Sequence, residues 1–360
     1  MGHGASLTVL SKTDALGDQL WATGLVHELL GSVPSGRVFW LVRDGYEAVS
    51  TLLAGSSVFR ANRKAAAEEE AERLITMPVP QPARLWQRVV FVPVSVNPYA
   101  AVPPGTDWVG EAAWWIDFCR SLHADLAIAG CITLNWADQA FALATAANRR
   151  IGYRLTRQGQ PLPEEIRRVI ESRSLPTSFT NLLEPVANEH EADGLARLAE
   201  TAIGRPCRCE IKLEIERKAV GKTAQRGPPL VVAPGAGDPQ RAYPPQNLAA
   251  AIAVLMAEPS LRTDDLVVLR GPSDDNLCAA MAGELAKKGL HARMVDIERH
   301  DLRPAVALLQ SARLLICNES SWAHLASAVG TPTVAIWGLG HRGRFLPRQG
   351  CVTVVHLEML

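Results

Sequence analysis

The sequence lacks a net charge, a cysteine framework and any long apolar run. Its 37 Lys+Arg balance 37 Asp+Glu, so no global positive field exists to hold nucleic acid or anionic lipid, and any anionic ligand must be held locally. Seven cysteines in 360 residues are few and odd in number, which excludes a disulfide scaffold and suits thiols kept reduced in a cytosol. Cys207 and Cys209 lack a second ligand pair nearby and read as plain thiols rather than a metal site. The apolar stretch at residues 7–10 stops at Ser11-Lys12, which excludes a secretory signal, and no run reaches transmembrane length. Met1-Gly2 followed by Ser6 fits a myristoylation pattern too short to weigh.

A chain of 360 residues exceeds one usual domain, so two are expected, together hiding roughly three quarters of the unfolded surface. Residues 7–10 read as a strand, residues 19–30 as a helix closed by Gly31, and 38–42 as a strand followed by a helix-like segment from Asp44. Residues 89–92 and 126–129 are further strands, the latter leading into an Ala-rich helix at 138–147. Glu68, Glu69 and Glu70 mark a solvated helix face. A helix over 189–203 ends at Gly204, and the basic, Pro- and Gly-punctuated stretch after it marks a boundary. The same grammar restarts: strands at 230–233, 266–269, 314–317 and 333–337, with helices at 246–258, 274–288 and 305–311. The expected domains are therefore 1–205 and 229–360 with a linker at 206–228. Alternating strands and helices imply parallel sheets covered by helices, with ligands beyond the strands' carboxyl ends.

Four strand-to-helix loops carry candidate chemistry, the one at Arg270 to Asp275 more weakly than the others. In Lys12-Thr13-Asp14-Ala15-Leu16-Gly17-Asp18, Asp18 is either a general base for a bound hydroxyl or the N-cap of the next helix. After the strand at 230–233, Gly235 and Gly237 let backbone approach an anion, and Arg241 offers a forked cation to phosphate or stands as an ordinary surface arginine. A third glycine is missing, which argues against a dinucleotide fingerprint. In Asn318-Glu319-Ser320-Ser321-Trp322-Ala323-His324, a capped helix start offers backbone N–H groups to a diphosphate, while His324 either donates to it or packs beneath. Asp274 and Asp275 reach a ribose or cap a helix. Trp108, Trp114 and Trp115 line a cleft or an interface, or fill core, core being favoured.

Together these loops resemble the family 9 glycosyltransferases, the group that includes ADP-heptose:lipopolysaccharide heptosyltransferases. The family's opening Lys-Thr-x-x-x-Gly-Asp is matched by Lys12 to Asp18, its Arg-Ile-Gly by Arg150-Ile151-Gly152, and its Pro-Gly loop ending in Lys/Arg-x-aromatic-Pro by Pro234-Gly235 through Arg241-Ala242-Tyr243-Pro244. Its Asp-Ser/Thr-Gly-x-x-His-x-x-Ala is matched from Glu319, which stands where Asp is usual, with Ser321 in place of Gly. The resemblance implies a GT-B fold, two Rossmann-like domains facing each other across a cleft, in a bacterial, cytoplasmic enzyme. It implies an inverting, metal-independent transfer of a sugar from a nucleotide-diphosphate donor, ADP-heptose favoured, with no cofactor. Asp18 would be the base, with Lys12 and Thr13 on the acceptor side. Gly235, Arg241, Glu319, Ser320, Ser321 and His324 would hold the donor phosphates, and Asp274 or Asp275 the nucleoside. The acceptor is a hydroxyl on a glycolipid, glycan, protein or small molecule; peripheral membrane contact stays open, with Arg60, Arg63 and Lys64 as a local patch. After residues 344–347 the chain leaves little room for the C-terminal helix common in the family. Competing readings are a nucleotide-sugar epimerase or hydrolase of the same fold, or a non-catalytic nucleotide-sugar-binding protein.

Overall fold

The computed structural model describes residues 6–80, 83–102, 104–156, 159–215, 227–238, 241–338 and 343–356. The chain forms two compact units, Met1–Lys212 and Leu213–Leu360.

In the first unit the elements are β1 (Leu7–Ser11), α1 (Leu16–Ser32), β2 (Arg37–Arg43), β3 (Ser57–Val58), α2 (Ala67–Ile75), β4 (Val89–Val94), α3 (Trp108–Ser121), β5 (Leu126–Ala129), α4 (Trp136–Ala144), β6 (Arg149–Tyr153), α5 (Glu164–Ser172), β7 (Asn181–Leu183) and α6 (Glu191–Ile203). The seven strands form one parallel sheet in the order β3-β4-β2-β1-β5-β6-β7. All six residues of β4 are buried, as expected where both faces of a parallel sheet are covered. Val9, Phe39, Val90 and Ala127 point to the side packed by α2 to α5. On the alternate side Trp40 stacks on Phe91 at 4.8 Å.

The second unit contains β8 (Leu230–Ala233), α7 (Pro245–Ala257), β9 (Leu266–Arg270), α8 (Asp275–Ala286), β10 (Ala292–Asp296), α9 (Arg303–Ser311), β11 (Leu314–Asn318), α10 (Ser321–Val329), β12 (Thr333–Trp337) and β13 (Val352–His356). Its six-stranded parallel sheet runs β10-β9-β8-β11-β12-β13. Both units are α/β, each a parallel sheet with helices between its strands.

Several expectations shift in detail. The segment after Asp44 is a 3-10 helix, Glu47–Leu52, because Gly45 turns the chain with φ +89° and Asp44 N–H bonds Val94 C=O. Helix α1 continues past Gly31 to Ser32, whereas Gly204 and Gly330 end α6 and α10 in the left-handed conformation glycine adopts freely. Of the three consecutive glutamates in α2, Glu68 and Glu69 are exposed but Glu70 is buried, where it accepts from Asn62 N–H at 2.9 Å. The division between the units falls inside the expected linker 206–228, of which 216–226 lie outside the described residues. The first part of that stretch lies on α1: Lys212 N–H bonds Thr23 Oγ1 at 2.8 Å, and a Cβ at Gly24 would stand 2.4 Å from Glu210 C=O. Trp115 is buried in the first core and Trp108 and Trp114 pack against it, which is the core use of these rings. No helix among the described residues is long and apolar enough to cross a membrane.

Candidate active site

Each sheet has one place where the chain reverses direction across it. In the first unit the strands proceed from β1 to β2 and β4 on one side and then cross to β5, β6 and β7 on the other; in the second the reversal lies between β8 and β11. Loops leaving adjacent strands diverge there, opening a crevice at the carboxyl ends. Both chemistry-bearing clusters sit at these points.

At the first, Lys12 follows β1 with its side chain fully buried. Its ammonium donates to Asp14 Oδ2 at 2.9 Å, Glu191 Oε1 at 2.9 Å and Gly130 C=O at 3.1 Å, which uses all three of its N–H groups. Lys12, expected on the acceptor side, is thus turned into the fold. Thr13 is also fully buried, its N–H bonded to Asp138 Oδ1 at 2.9 Å. The same oxygen accepts from Ser11 Oγ at 2.9 Å, and Asn135 Nδ2 donates to Asp138 Oδ2 at 3.0 Å and to Asp14 Oδ1 at 3.3 Å. Tyr99, from the loop after β4, donates its hydroxyl to Asp14 Oδ1 at 2.5 Å. Asn135 also caps α4 by accepting from Asp138 N–H.

Burial works against every charge here, and neighbours decide the outcome. Burial alone would lower the Lys12 ammonium, yet Asp14, Glu191 and then Asp18 raise it well above its ordinary value. Burial would raise the Asp14 carboxyl, but the Lys12 charge and the Tyr99 hydroxyl hold it below the usual range. Asp138 is pushed up to about 7 by burial and then by the Asp14 charge. Asp14, Cys131 and Asp138 offer three ligand atoms within 4.8 Å of one another. The carboxylate oxygens already accept from Lys12, Tyr99, Asn135, Ser11 and Thr13, so no metal is assigned to them.

Asp18 stands at the rim of this cluster, half-buried in the first turn of α1. The N-cap is Ala15, which makes no side-chain cap bond, so Asp18 is not the cap that its place in the sequence allowed.

At the second crossover Asn318, the last residue of β11, binds two parts of the loop after β8: its Nδ2 donates to Pro234 C=O at 2.7 Å and its Oδ1 accepts from Tyr243 N–H at 3.2 Å. This brings Arg241 to Glu319, with Nη1 3.0 Å from Oε1. Glu319 is 4% exposed and Arg241 36%. Glu319 Oε2 and Ser320 Oγ are buried with no hydrogen-bond partner among the described residues. Ser320 occupies the N-cap of α10 without a side-chain cap bond, and Ser321 opens the helix. A Cβ at Gly235 would lie 2.2 Å from the Asp274 carboxylate, so any larger residue there would displace that side chain. Asp274 holds the N-cap position of α8 without capping it; its Oδ2 accepts from Gly271 N–H at 3.2 Å, and burial pushes its carboxyl up. His324 is buried beneath the loop, edge-on to Trp337 at 6.2 Å.

The segment that carries this second cluster also matches a known family. Residues 184–359 fit the family model described as glycosyltransferase family 9 (heptosyltransferase). The C-terminal half of the chain thus resembles the family 9 glycosyltransferases. Across its length the chain is similar in fold to three solved structures of that kind. The glycosyl transferase family 9 from Veillonella parvula DSM 2008 shares 14% identity over 99% of this chain and 87% of its own, at a TM-score of 0.66. The E. coli heptosyltransferase WaaC with ADP shares 14% over 97% and 93%, at 0.61. E. coli ADP-heptose lps heptosyltransferase II shares 15% over 98% and 91%, at 0.58. No curated protein sequence matches the chain.

Within the family 9 segment, Gly235, Arg241, Glu319, Ser320, Ser321 and His324 converge as one group around the β8/β11 crossover. Asp275 does not join them: it is 77% exposed and pairs with Arg270, leaving Asp274 as the inward acid. Arg60 and Arg63 are no free patch either, since Arg60 pairs with Asp44 and Glu47 and Arg63 with Glu111. Cys207 and Cys209 are buried thiols. The network that joins Lys12 to Asp14, Tyr99, Asn135, Asp138 and Glu191 escaped the sequence because its members are up to 179 residues apart. Its one local signal was Asn135 three residues before Asp138 at a helix start.

Proposed function

We propose that this protein is an inverting, metal-independent glycosyltransferase, moving a sugar from a nucleotide-diphosphate donor to an acceptor hydroxyl without a cofactor. The observation that carries this is the Arg241–Glu319 pair beside the start of α10, inside the segment matching family 9. Arg241 and the first-turn N–H groups of α10 put positive charge where a leaving diphosphate gathers negative charge, the role a divalent ion plays elsewhere. Asp18 takes the proton of the acceptor hydroxyl as its oxygen bonds to the anomeric carbon. The bond from that carbon to the diphosphate breaks in the same displacement, its electron pair leaving with the nucleotide, so the configuration inverts. ADP-heptose is the favoured donor, supported by likeness to a heptosyltransferase solved with ADP.

Thermal shift against ADP, UDP, GDP, dTDP and CDP, with and without chelator, tests this. A ligand held by the native state raises apparent stability by roughly 2.7 kcal/mol at a hundredfold excess over Kd. The expected outcome is stabilisation by ADP that chelator leaves unchanged. Stabilisation by no nucleotide would overturn the reading, and consumption of ADP-heptose without acceptor would replace transfer by hydrolysis or epimerisation.

A further inference from the structure

Arg43 ends β2, the strand beside β1, and its surroundings single it out. The two acids that follow it, Asp44 and Glu47, are both taken by Arg60, and no carboxylate among the described residues pairs with Arg43. What holds it is neutral. Its Nη1 donates to Asn97 Oδ1 at 2.9 Å, and its guanidinium lies over the Tyr46 ring at 4.3 Å and the Tyr99 ring at 5.8 Å. Asn97 is fixed in turn, since its Oδ1 also accepts from Tyr99 N–H at 3.0 Å. A guanidinium carries five N–H donors in a planar fork, and one hydrogen bond among the described residues leaves the rest of the fork open to a ligand. Two aromatic faces and an amide therefore orient a half-buried cation that the fold does not neutralise.

The placement connects this cation to the proposed chemistry. Tyr99 gives its hydroxyl to Asp14, which lies in the loop leading into the first turn of α1 that carries Asp18, so Arg43, Asn97, Tyr99 and Asp14 form one continuous array along the carboxyl ends of β4, β2 and β1. Tyr99 itself is 49% exposed and presents ring surface beside the guanidinium.

The geometry points to Arg43 as an acceptor-recognition residue that takes an oxyanion, a carboxylate or phosphate borne by the sugar whose hydroxyl is glycosylated. A fork of two parallel N–H groups matches either group bidentately, and cation–π contacts with the two tyrosines hold the fork ready. This rests on the transferase reading for the word acceptor, though binding of the anion does not.

The test uses the full chain carrying Arg241→Ala, which removes the other proposed phosphate contact, and titrates it calorimetrically with glucuronate, glucose 6-phosphate and glucose. At least one anion should bind about tenfold or more tightly than glucose, as loss of a charged hydrogen bond implies. Adding Arg43→Gln should abolish that preference, and Arg43→Lys should restore only part of it. Preference for glucuronate alone assigns a carboxylate, and for glucose 6-phosphate alone a phosphate. No preference for either anion, or one that survives Arg43→Gln, overturns the proposal. The unsubstituted chain is titrated with ADP alongside: loss of ADP binding there sinks the transferase reading while leaving the Arg43 result standing.

Discussion

The two crossover points solve opposite problems with similar residues. At the first, a lysine and three carboxylates are buried and closed upon one another, every Lys12 N–H is used, and the acid proposed for chemistry stands at the rim. At the second, one ion pair reaches the surface, and two buried oxygens, Glu319 Oε2 and Ser320 Oγ, find no partner among the described residues. Unpaired buried polar atoms are unfavourable unless something satisfies them. The first cluster is thus scaffold that fixes a loop, and the second leaves polar groups open that the proposed donor would satisfy.

Lys12→Met should break this contrast most forcefully. It leaves Asp14 and Glu191 buried without their cation, and removing one partner of a buried pair costs about 3–5 kcal/mol. Urea unfolding should show a matching fall in midpoint; an unchanged midpoint would mean that the cluster does not hold the loop. Asp18→Asn comes next. Loss of a general base should lower transfer at least about a hundredfold, equivalent to ~2.7 kcal/mol, with ADP affinity retained. Comparable turnover in the variant would remove Asp18 from the mechanism. Arg241→Ala should weaken ADP binding about tenfold in calorimetry and lower transfer with it, because a phosphate contact acts in ground and transition states alike. Its unfolding midpoint should move less than that of Lys12→Met, since water reaches Arg241.

This contrast also explains what could be seen in the sequence. Asp18, Arg241, Glu319 and His324 lie in short strand-to-helix loops or in the first turns of the helices that follow them, so local pattern singled them out, and alternating strands and helices revealed both parallel sheets. Strand order was not legible, and strand order alone brings Asn135 and Asp138 after β5 against Asp14 after β1. Nor could spacing tell Asp274 from Asp275, adjacent residues of which one faces Gly235 and the other solvent. Likewise Glu70 looked like its two exposed neighbours until the loop at Asn62 supplied its partner. Arg43 was hidden for a related reason: only the structure shows that Arg60 claims both adjacent acids.

The finest effect concerns protons in the first cluster. Asp138 has its carboxyl raised from 3.8 to about 7 in the folded chain. A raised carboxyl binds its proton more tightly folded than unfolded, so between about pH 4 and 7 the folded state holds a proton that the unfolded state has lost. Stability from this group is complete below the unfolded value and declines as pH rises towards 7, where the slope vanishes. Asp14 has the opposite sign: its depressed carboxyl contributes stability above its ordinary range that is lost under acid. Asp138→Asn should therefore flatten the decline across pH 4–7 in thermal melts while leaving the acid limb in place. A decline that persists unchanged in the variant would assign it to another group and leave Asp138 ionised within the cluster. At the second crossover Asp274, its inward acid, is also raised, by burial and then by the Asp275 charge, but it accepts a bond from Gly271 N–H that works against the shift, so the clearer pH dependence is expected in the unit that carries Asp18.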